Sequence, residues 1–430
     1  MSASPTTDWW QREKQRRMLR VLLFLSLMLL LIGYYYFINV QGRTGIIHGV
    51  NFNSTNYIAF TRTETDGNTS LCAVSADGSD FRKLTNNSDH SNKATPIWTV
   101  DGKSLVYSSN LKDGRVSQLY ILGDGEPKQI TYGSGNKFNP AASSDGKHIA
   151  YLSQGTIKTV TVTGNDVTQL MPPPSAGSGD SGEEGAQGGD PQGPFETVGI
   201  SPDGDAIYGV QNVANSIGRD GKPVPVERLA SVLLPNQPHV TTLDSGNEVF
   251  ASWEPNGKRV ASSYTGIEVE GPQKKIVLIS GINIWSFEGA RGKPQNLFRV
   301  IGGNLEPKNI SWSPDGGKIA FEGWVVEKEN RTLGGIGVLD VTSIFASNPG
   351  GVQIEAKQVP SMTYLIPSKP DSKPSNPHWS SDGSRLVFEQ TRADGKRDLW
   401  IINSDGTNPT NLTKGIGDNF DPNWSPSKPK

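Results

Sequence analysis

Two kinds of apolar pattern run along this chain. The first is a single uninterrupted stretch, Met18 to Val40 (MLRVLLFLSLMLLLIGYYYFINV), uncharged apart from Arg20. The second begins near Asn56 and consists of short apolar runs of four to six residues, each ended by Gly, Pro, Asp, Asn or Ser. Runs of that length between turn residues predict β-strands, because helices need longer stretches at a 3.6-residue period.

The short runs repeat. SWSPDGGKIAF (Ser311–Phe321) recurs as IWTVDGKSLVY (Ile97–Tyr107), ASSDGKHIAY (Ala142–Tyr151) and ISPDGDAIYG (Ile200–Gly209). It returns as SWEPNGKRVA (Ser252–Ala261) and HWSSDGSRLVF (His378–Phe388). Each copy predicts a hairpin. Proline presets φ, Asp hydrogen-bonds its own backbone, and Gly takes the positive φ that reverses the chain. Weaker copies of a third strand follow in SLCAVSADG (Ser70–Gly78), QLYILGDG (Gln118–Gly125) and DLWIINSDG (Asp398–Gly406). A fourth follows in FRKLT (Phe81–Thr85), PKQIT (Pro127–Thr131) and PTNLT (Pro409–Thr413). Four antiparallel strands per unit make a propeller blade.

A small or apolar residue marks the second strand at Ala59, Val106, Ala150, Tyr208, Ala261, Ala320 and Val387. The missing first strand of the first unit is supplied by NWSP (Asn423–Pro426), which would pair with YIAF (Tyr57–Phe60) and leave no open edge. The expected fold is therefore an all-β propeller over 56–426, of seven four-stranded blades closed by the N- and C-terminal strands. Degenerate middle units leave six or eight open. Within it, 172–194 (rich in Gly, Pro and Ser, with four acids and no base) is expected to be a disordered loop, and Ser361–Pro377, with four prolines, a second long connection.

The repeat Trp-Ser-Pro-Asp-Gly-Lys-x-Ile-Ala-Phe, followed by Asp-Leu-Trp-Ile-Ile-Asn-Ser-Asp-Gly and Asn-Leu-Thr, resembles the PD40 (WD40-like) repeat of the TolB family. The match is strong around Asp101, Asp145, Asp315 and Asp382 and weaker around Asp203 and Asn256. The resemblance implies a propeller that scaffolds contacts among envelope proteins. TolB itself carries a small α/β domain ahead of six blades. Here only 41–55 separates the apolar stretch from the repeats, so that domain is not expected and the family's specific partners are not carried over.

The apolar stretch predicts a transmembrane signal-anchor helix over 18–40, since about 20 apolar residues span a hydrocarbon core of ~30 Å. Arg12, Lys14, Arg16, Arg17 and Arg20 precede or open it, against Asp8 and Glu13, which would leave 1–17 as a short basic cytoplasmic tail and carry the propeller across the membrane. Bulky Tyr34-Tyr35-Tyr36-Phe37 where a signal-peptidase site would lie argues against cleavage. The domain reading is thus tail 1–17, helix 18–40, linker 41–55, propeller 56–426 and a last tail 427–430, with an extracytoplasmic, periplasmic or cell-surface location.

Charge changes the picture only by exclusion. The whole chain carries −2, and with the basic residues gathered before residue 44 the repeat region is acidic, so no nucleic-acid partner is expected. A lone cysteine, Cys72, allows no internal disulfide and aligns with Tyr120 and Trp400, which predicts a packed thiol.

Candidate chemistry is sparse. No Gly-x-Ser-x-Gly elbow occurs, so the hydrolase that accompanies some propellers is not signalled. Gly102-Lys103-Ser104 mimics a phosphate loop but falls in a hairpin turn and lacks the first glycine. His48, His90, His148, His239 and His378 show no metal-ligand spacing, and the Asp-Gly turns lack the ordered calcium loop. Trp98, Trp253, Trp312, Trp379 and Trp424 recur at one hairpin position, which predicts a core between blades and not a sugar platform. No catalytic, cofactor-binding or metal residue is assigned, no cofactor is expected, and no binding residue is singled out. The expected function is a membrane-anchored binding scaffold for a protein partner or cell-wall component of the envelope. The alternative is a propeller-type lyase or glycosidase acting at the central opening, and the weight falls against an enzyme.

Overall fold

The computed structural model describes helical positions within 13–28 and most of 56–426. Residues 86–89, 170–194, 218–222, 234–240, 271–274, 287–294, 356–361, 368–371 and a few shorter loop positions lie outside the described residues, as do 29–55 and 427–430. The expected loop over 172–194, the linker and the last tail therefore fall outside them.

Strand follows strand by turn chemistry. In the third repeat, Ser143 Oγ donates to Asp145 Oδ1 at 2.5 Å, the Lys147 N–H donates to the same oxygen at 3.0 Å, and Gly146 takes φ 73°. The same three-part turn recurs at Thr99-Asp101 and Ser380-Asp382. In Asp101, Asp145 and Asp382 partial burial works to raise the carboxyl. The hydroxyl and backbone N–H donors outweigh it and hold each below the usual carboxylate range.

The hairpins extend into sheets. Sheet I runs Asp418–Trp424, Tyr57–Thr63, Thr69–Ser75, Phe81–Lys83, and sheet II Lys93–Trp98, Leu105–Ser109, Gln118–Leu122, Lys128–Gln129. Sheet III holds Lys137–Ala142, His148–Ser153, Thr156–Thr161, Thr168–Gln169, and sheet IV Phe195–Ile200, Ile207–Ile217, Pro223–Leu233, Thr241–Gly246. Sheet V begins Glu248–Trp253, Arg259–Glu270, Lys275–Ser286, Gln295–Ile301. Sheet VI holds Leu305–Trp312, Lys318–Glu327, Asn330–Asp340, Met362–Pro367, and sheet VII Lys373–Trp379, Arg385–Thr391, Arg397–Asn403, Thr410–Asn411. The first strand of every sheet touches the first strands of the sheets on either side, and the circle closes between Lys373–Trp379 and Asp418–Trp424. Those first strands therefore surround the axis of a β-propeller.

Two expectations need correction. The count of seven four-stranded blades becomes six among the described residues, because sheet V carries a fifth strand, Val352–Glu355, parallel to Gln295–Ile301. That strand belongs to an excursion out of sheet VI, which passes through a helix, Val341–Ser347, before returning as Met362–Pro367. The physical gain is cover for an otherwise open sheet edge. Ser361–Pro377, expected as a connection, accordingly contains this fourth strand of sheet VI and most of the first strand of sheet VII.

The second correction concerns the N-terminus. Among the described residues no helix is long and apolar enough to cross a membrane. The helical positions described there are 13, 14, 16–20, 26 and 28. The transmembrane helix over 18–40 and the single-pass location are overturned with it, and the membrane as a partner is left without support. Most of 18–40 lies outside the described residues.

Closure of the ring rests on main-chain pairing, Ile58 opposite Trp424 and Ala59 opposite Asn423. The N–H groups of Asn56 and Tyr57 also both donate to Ser425 Oγ, at 2.9 and 3.0 Å. Cores lie between neighbouring sheets. Trp424 packs with Ile58, Phe60, Val387 and Leu399, and Trp98 with Ala59, Leu71 and Leu105. Cys72 is fully buried opposite Phe60, and burial pushes its thiol up to about 11.

Candidate binding site at the mouth of the ring

Each first strand ends at the repeat tryptophan or its equivalent, and the turn that follows approaches the turn of the next sheet. The turns overlap: a Cβ on Gly102 would meet Pro426 Cγ at 3.4 Å, and one on Gly146 would meet Val100 Cγ1 at 2.4 Å. Glycine is therefore required at 146 for close approach as well as for φ. On this side of the ring, the ends of the first strands of sheets I, II, III and VII enclose a cavity of about 210 Å³. Its wall includes Trp98, Trp379 and Trp424 and the turn residues Val100, Ser144 and Ser381.

The tryptophans bind sheet to sheet by a repeated bond. The indole N–H of Trp98 donates to the Asn423 carbonyl at 3.0 Å, that of Trp312 to Ser252 at 3.1 Å, and that of Trp379 to Ser311 at 3.0 Å. In each case the acceptor is the residue before the neighbouring sheet's tryptophan. Trp424 departs from the rule: it is 7% exposed, and its Nε1 has no hydrogen-bond partner among the described residues.

Several lining groups are already committed. Thr99 and Ser143 donate within their turns, Asn423 Oδ1 accepts the main-chain N–H of Trp98 at 3.1 Å, and Ser425 Oγ accepts from the N–H groups of Asn56 and Tyr57. Among the described residues the lining contains no carboxylate, imidazole, thiol, amine or guanidinium.

A second polar group lies further back along the first strands. Thr95, Asn139, Asn309, Asn376 and Asp421 all take a left-handed backbone, φ 45–53°, three residues before the tryptophan position. Each sits where the strand slips register against its partner, a bulge that turns the inner strand. Asn309 Nδ2 donates to Glu322 at 3.0 Å, and Asn376 Nδ2 to Glu389 at 2.8 Å. Glu389 also accepts the Asp421 N–H at 3.0 Å and faces Arg397 at 3.3 Å, while Arg397 grips both oxygens of Asp418 at 2.9 Å. Burial raises the carboxyls of Glu389 and Asp421, opposed by Arg397. With its donors and acceptors paired across sheets VII and I, this cluster clamps the seam.

The residues weighed from sequence fall as follows. Trp98, Trp312, Trp379 and Trp424 are buried between sheets, and Trp253 is partly so. His378 bonds Asn376 Oδ1 through Nε2 at 3.1 Å, and desolvation pushes its imidazole down to about 4. His148 lies 4.0 Å from Asp145, His90 is exposed, and His48 and His239 are outside the described residues. Gly102-Lys103-Ser104 sits in a hairpin turn. Among the described residues no group of three or more His, Cys, Asp or Glu could hold a metal ion. Sequence reasoning missed the cavity and the seam clamp. A signal existed for each: Ser144 and Ser381 stand where other copies have proline, and Asn or Asp precedes proline in Asn139-Pro140, Asn376-Pro377 and Asp421-Pro422.

Comparison with known proteins gives a fold. No protein-family model matches the sequence, and no curated protein does. Solved structures do. A puromycin-hydrolysing peptidase of Mycobacterium tuberculosis is 15% identical with a TM-score of 0.51, over 83% of this chain and 50% of that one. TolB of Acinetobacter baumannii is 17% identical with a TM-score of 0.40, over 86% of this chain and 83% of that one. The chain has the fold of a β-propeller. An oligogalacturonate lyase of Vibrio parahaemolyticus is 14% identical with a TM-score of 0.49, over 83% and 84% of the two chains. At these identities the likeness concerns the fold, and function must come from the site.

Proposed function

We propose that this TolB-like propeller is a binding scaffold that offers the turn side of its ring to a protein partner or a component of the cell envelope. The observation that carries this reading is the cavity at the ring's mouth, built by the strand ends of four sheets and walled, among the described residues, by apolar, hydroxyl and amide side chains. A concave site formed on a rigid frame suits recognition. A lyase or glycosidase at the same opening would need a proton donor and acceptor there, and the lining supplies neither.

The reading is tested with the full-length chain carrying a photoreactive amino acid at Val100, 39% exposed at the rim, or at exposed Lys396 on the opposite face. Crosslinking in cells of the source organism should give a defined adduct from position 100 that is absent from 396. No adduct at 100, or the same adducts from both positions, overturns it.

A further inference from the structure

The second and third strands of the seven sheets fall into two classes. They are five to seven residues long in sheets I, II, III and VII. In sheet IV both have eleven residues, in sheet V both have twelve, and in sheet VI they have ten and eleven. Three consecutive hairpins therefore run on past the ring, on the side away from the turns that enclose the cavity, as two-stranded ribbons. In sheet V the fourth strand pairs only with Gly281–Ser286, and the first strand only with Val260–Thr265. Among the described residues, Lys275–Ile279 thus has no strand on its outer side and Gly266–Glu270 none on its inner side. Five residues at ~3.3 Å each give an outer edge about 17 Å long.

An open edge is a template for another strand, and native sheets blunt it with proline, charge, glycine-marked bulges or brevity. The neighbouring edges are blunted. In the sheet IV ribbon the outer stretch is 223–227, which holds Pro223 and Pro225 and lies against two register shifts. In the sheet VI ribbon it is 330–334, which contains Arg331 and ends at a register shift. The inner edge in sheet V carries Gly266, Glu268 and Glu270. The outer edge in sheet V has no such device. KIVLI (Lys275–Ile279) is four strong strand formers after a single charge, and its ladder with Arg259–Glu270 runs through twelve pairs without a shift. A segment of this composition aggregates unless something covers it.

From this contrast we infer that the outer edge Lys275–Ile279 joins two copies of the chain, paired antiparallel about a two-fold axis at Val277. The inference concerns the other side of the ring and is independent of the scaffold reading. The sequence of the edge is self-complementary in that register. Antiparallel strands related by an axis perpendicular to their sheet keep their faces, so positions of equal parity stand opposite one another. Val277 then meets its own copy, Ile276 stands opposite Leu278, and Lys275 stands opposite Ile279, so no like charges meet. The ladder within sheet V places positions 267, 269, 276 and 278 on one face, the face that carries Ala261, Ile282 and Ile284 in the ring. All four are Ile, Val or Leu. Pairing of two copies makes a four-stranded sheet in which this apolar stripe runs on from one ribbon into the other. A foreign strand could take the same main-chain bonds, but only a second copy brings the matching stripe by symmetry.

The test is sedimentation equilibrium of the full-length chain over a hundredfold range of concentration, which should show a reversible monomer–dimer equilibrium. Val277→Lys sets two like charges against each other at the axis and should weaken the dimer at least tenfold at unchanged melting temperature. Val277→Glu should do the same. An equimolar mixture of the two variants sets Lys against Glu and should bring association back to within threefold of the unsubstituted chain. Association through any other part of the chain is untouched by these substitutions and so is told apart. Monomer mass at every concentration, a dimer equally tight in the single variants, or a mixture no tighter than either variant alone overturns the inference. A photoreactive amino acid at position 277 that crosslinks in cells to a different protein, and not to a second copy, overturns it in favour of a foreign strand.

Discussion

The indole bonds between sheets give a differential measurement in which most sources of error cancel. Trp379 and Trp424 occupy equivalent positions and are both 7% exposed, so replacing either by Phe removes a similar packing contribution. They differ in one bond. Trp379→Phe strips the donor from the Ser311 carbonyl, a net loss of about 1 kcal/mol for a neutral hydrogen bond. Trp424→Phe breaks no bond and removes an unpaired buried N–H, worth about 1 kcal/mol in the opposite sense. The two variants should therefore differ by about 2 kcal/mol, with Trp379→Phe the less stable. Unfolding entropy of ~2.1 cal/mol/K per residue over about 370 residues comes to roughly 0.8 kcal/mol/K, so the melting temperatures should differ by about 2–3 °C. Thermal melts followed by circular dichroism are suitable, since tryptophan fluorescence is itself altered. If Trp424→Phe melts at or below Trp379→Phe, the Trp424 N–H is paired in solution and the bookkeeping of the indole bonds is wrong.

Other expectations follow from the same contacts. Removing the residues after Lys414 deletes Asp418–Trp424, bares the edge of Tyr57–Thr63 and takes the acceptor from Trp98. The melting temperature should fall by more than about 10 °C, given that a buried Trp alone is worth ~3–5 kcal/mol, and an unchanged melt would show that this strand does not seal the ring. His378, with its folded value pushed down to about 4 from an ordinary 6.5, is held neutral in the native state. Stability from this group is complete above pH 6.5 and is lost as pH falls toward 4, by about 2 kcal/mol allowing for its partial exposure. His378→Gln should flatten that part of the stability curve, and an unaltered slope on acid titration would refute the assignment. Cys72, fully buried with its thiol pushed up to about 11, should ignore a disulfide reagent in the native protein and react fully in denaturant. Rapid native labelling would contradict the packing described.

What the sequence determined was local. The Asp-Gly turn, the strand that ends at tryptophan and the strand that leaves with Ile-Ala-Phe were legible because turn chemistry and a two-residue period act over a few residues. Repetition then carried Cys72 into register with Tyr120 and Trp400, and pointed to the pairing of Tyr57–Phe60 with the chain's end. The long apolar run before residue 41 was equally plain as a pattern, yet among the described residues it forms no membrane-crossing helix. The excursion from sheet VI was hidden, since Met362–Pro367 lies in a proline-rich stretch and Val352–Glu355 pairs with a strand of another sheet. The cavity was hidden for a related reason. Its wall joins residues such as Trp98 and Asn423, 325 positions apart, and its character depends on which imperfect copies of the repeat come to stand side by side. A repeat fixes the shape of each hairpin through short-range forces, but only closure of the ring brings the exceptions together.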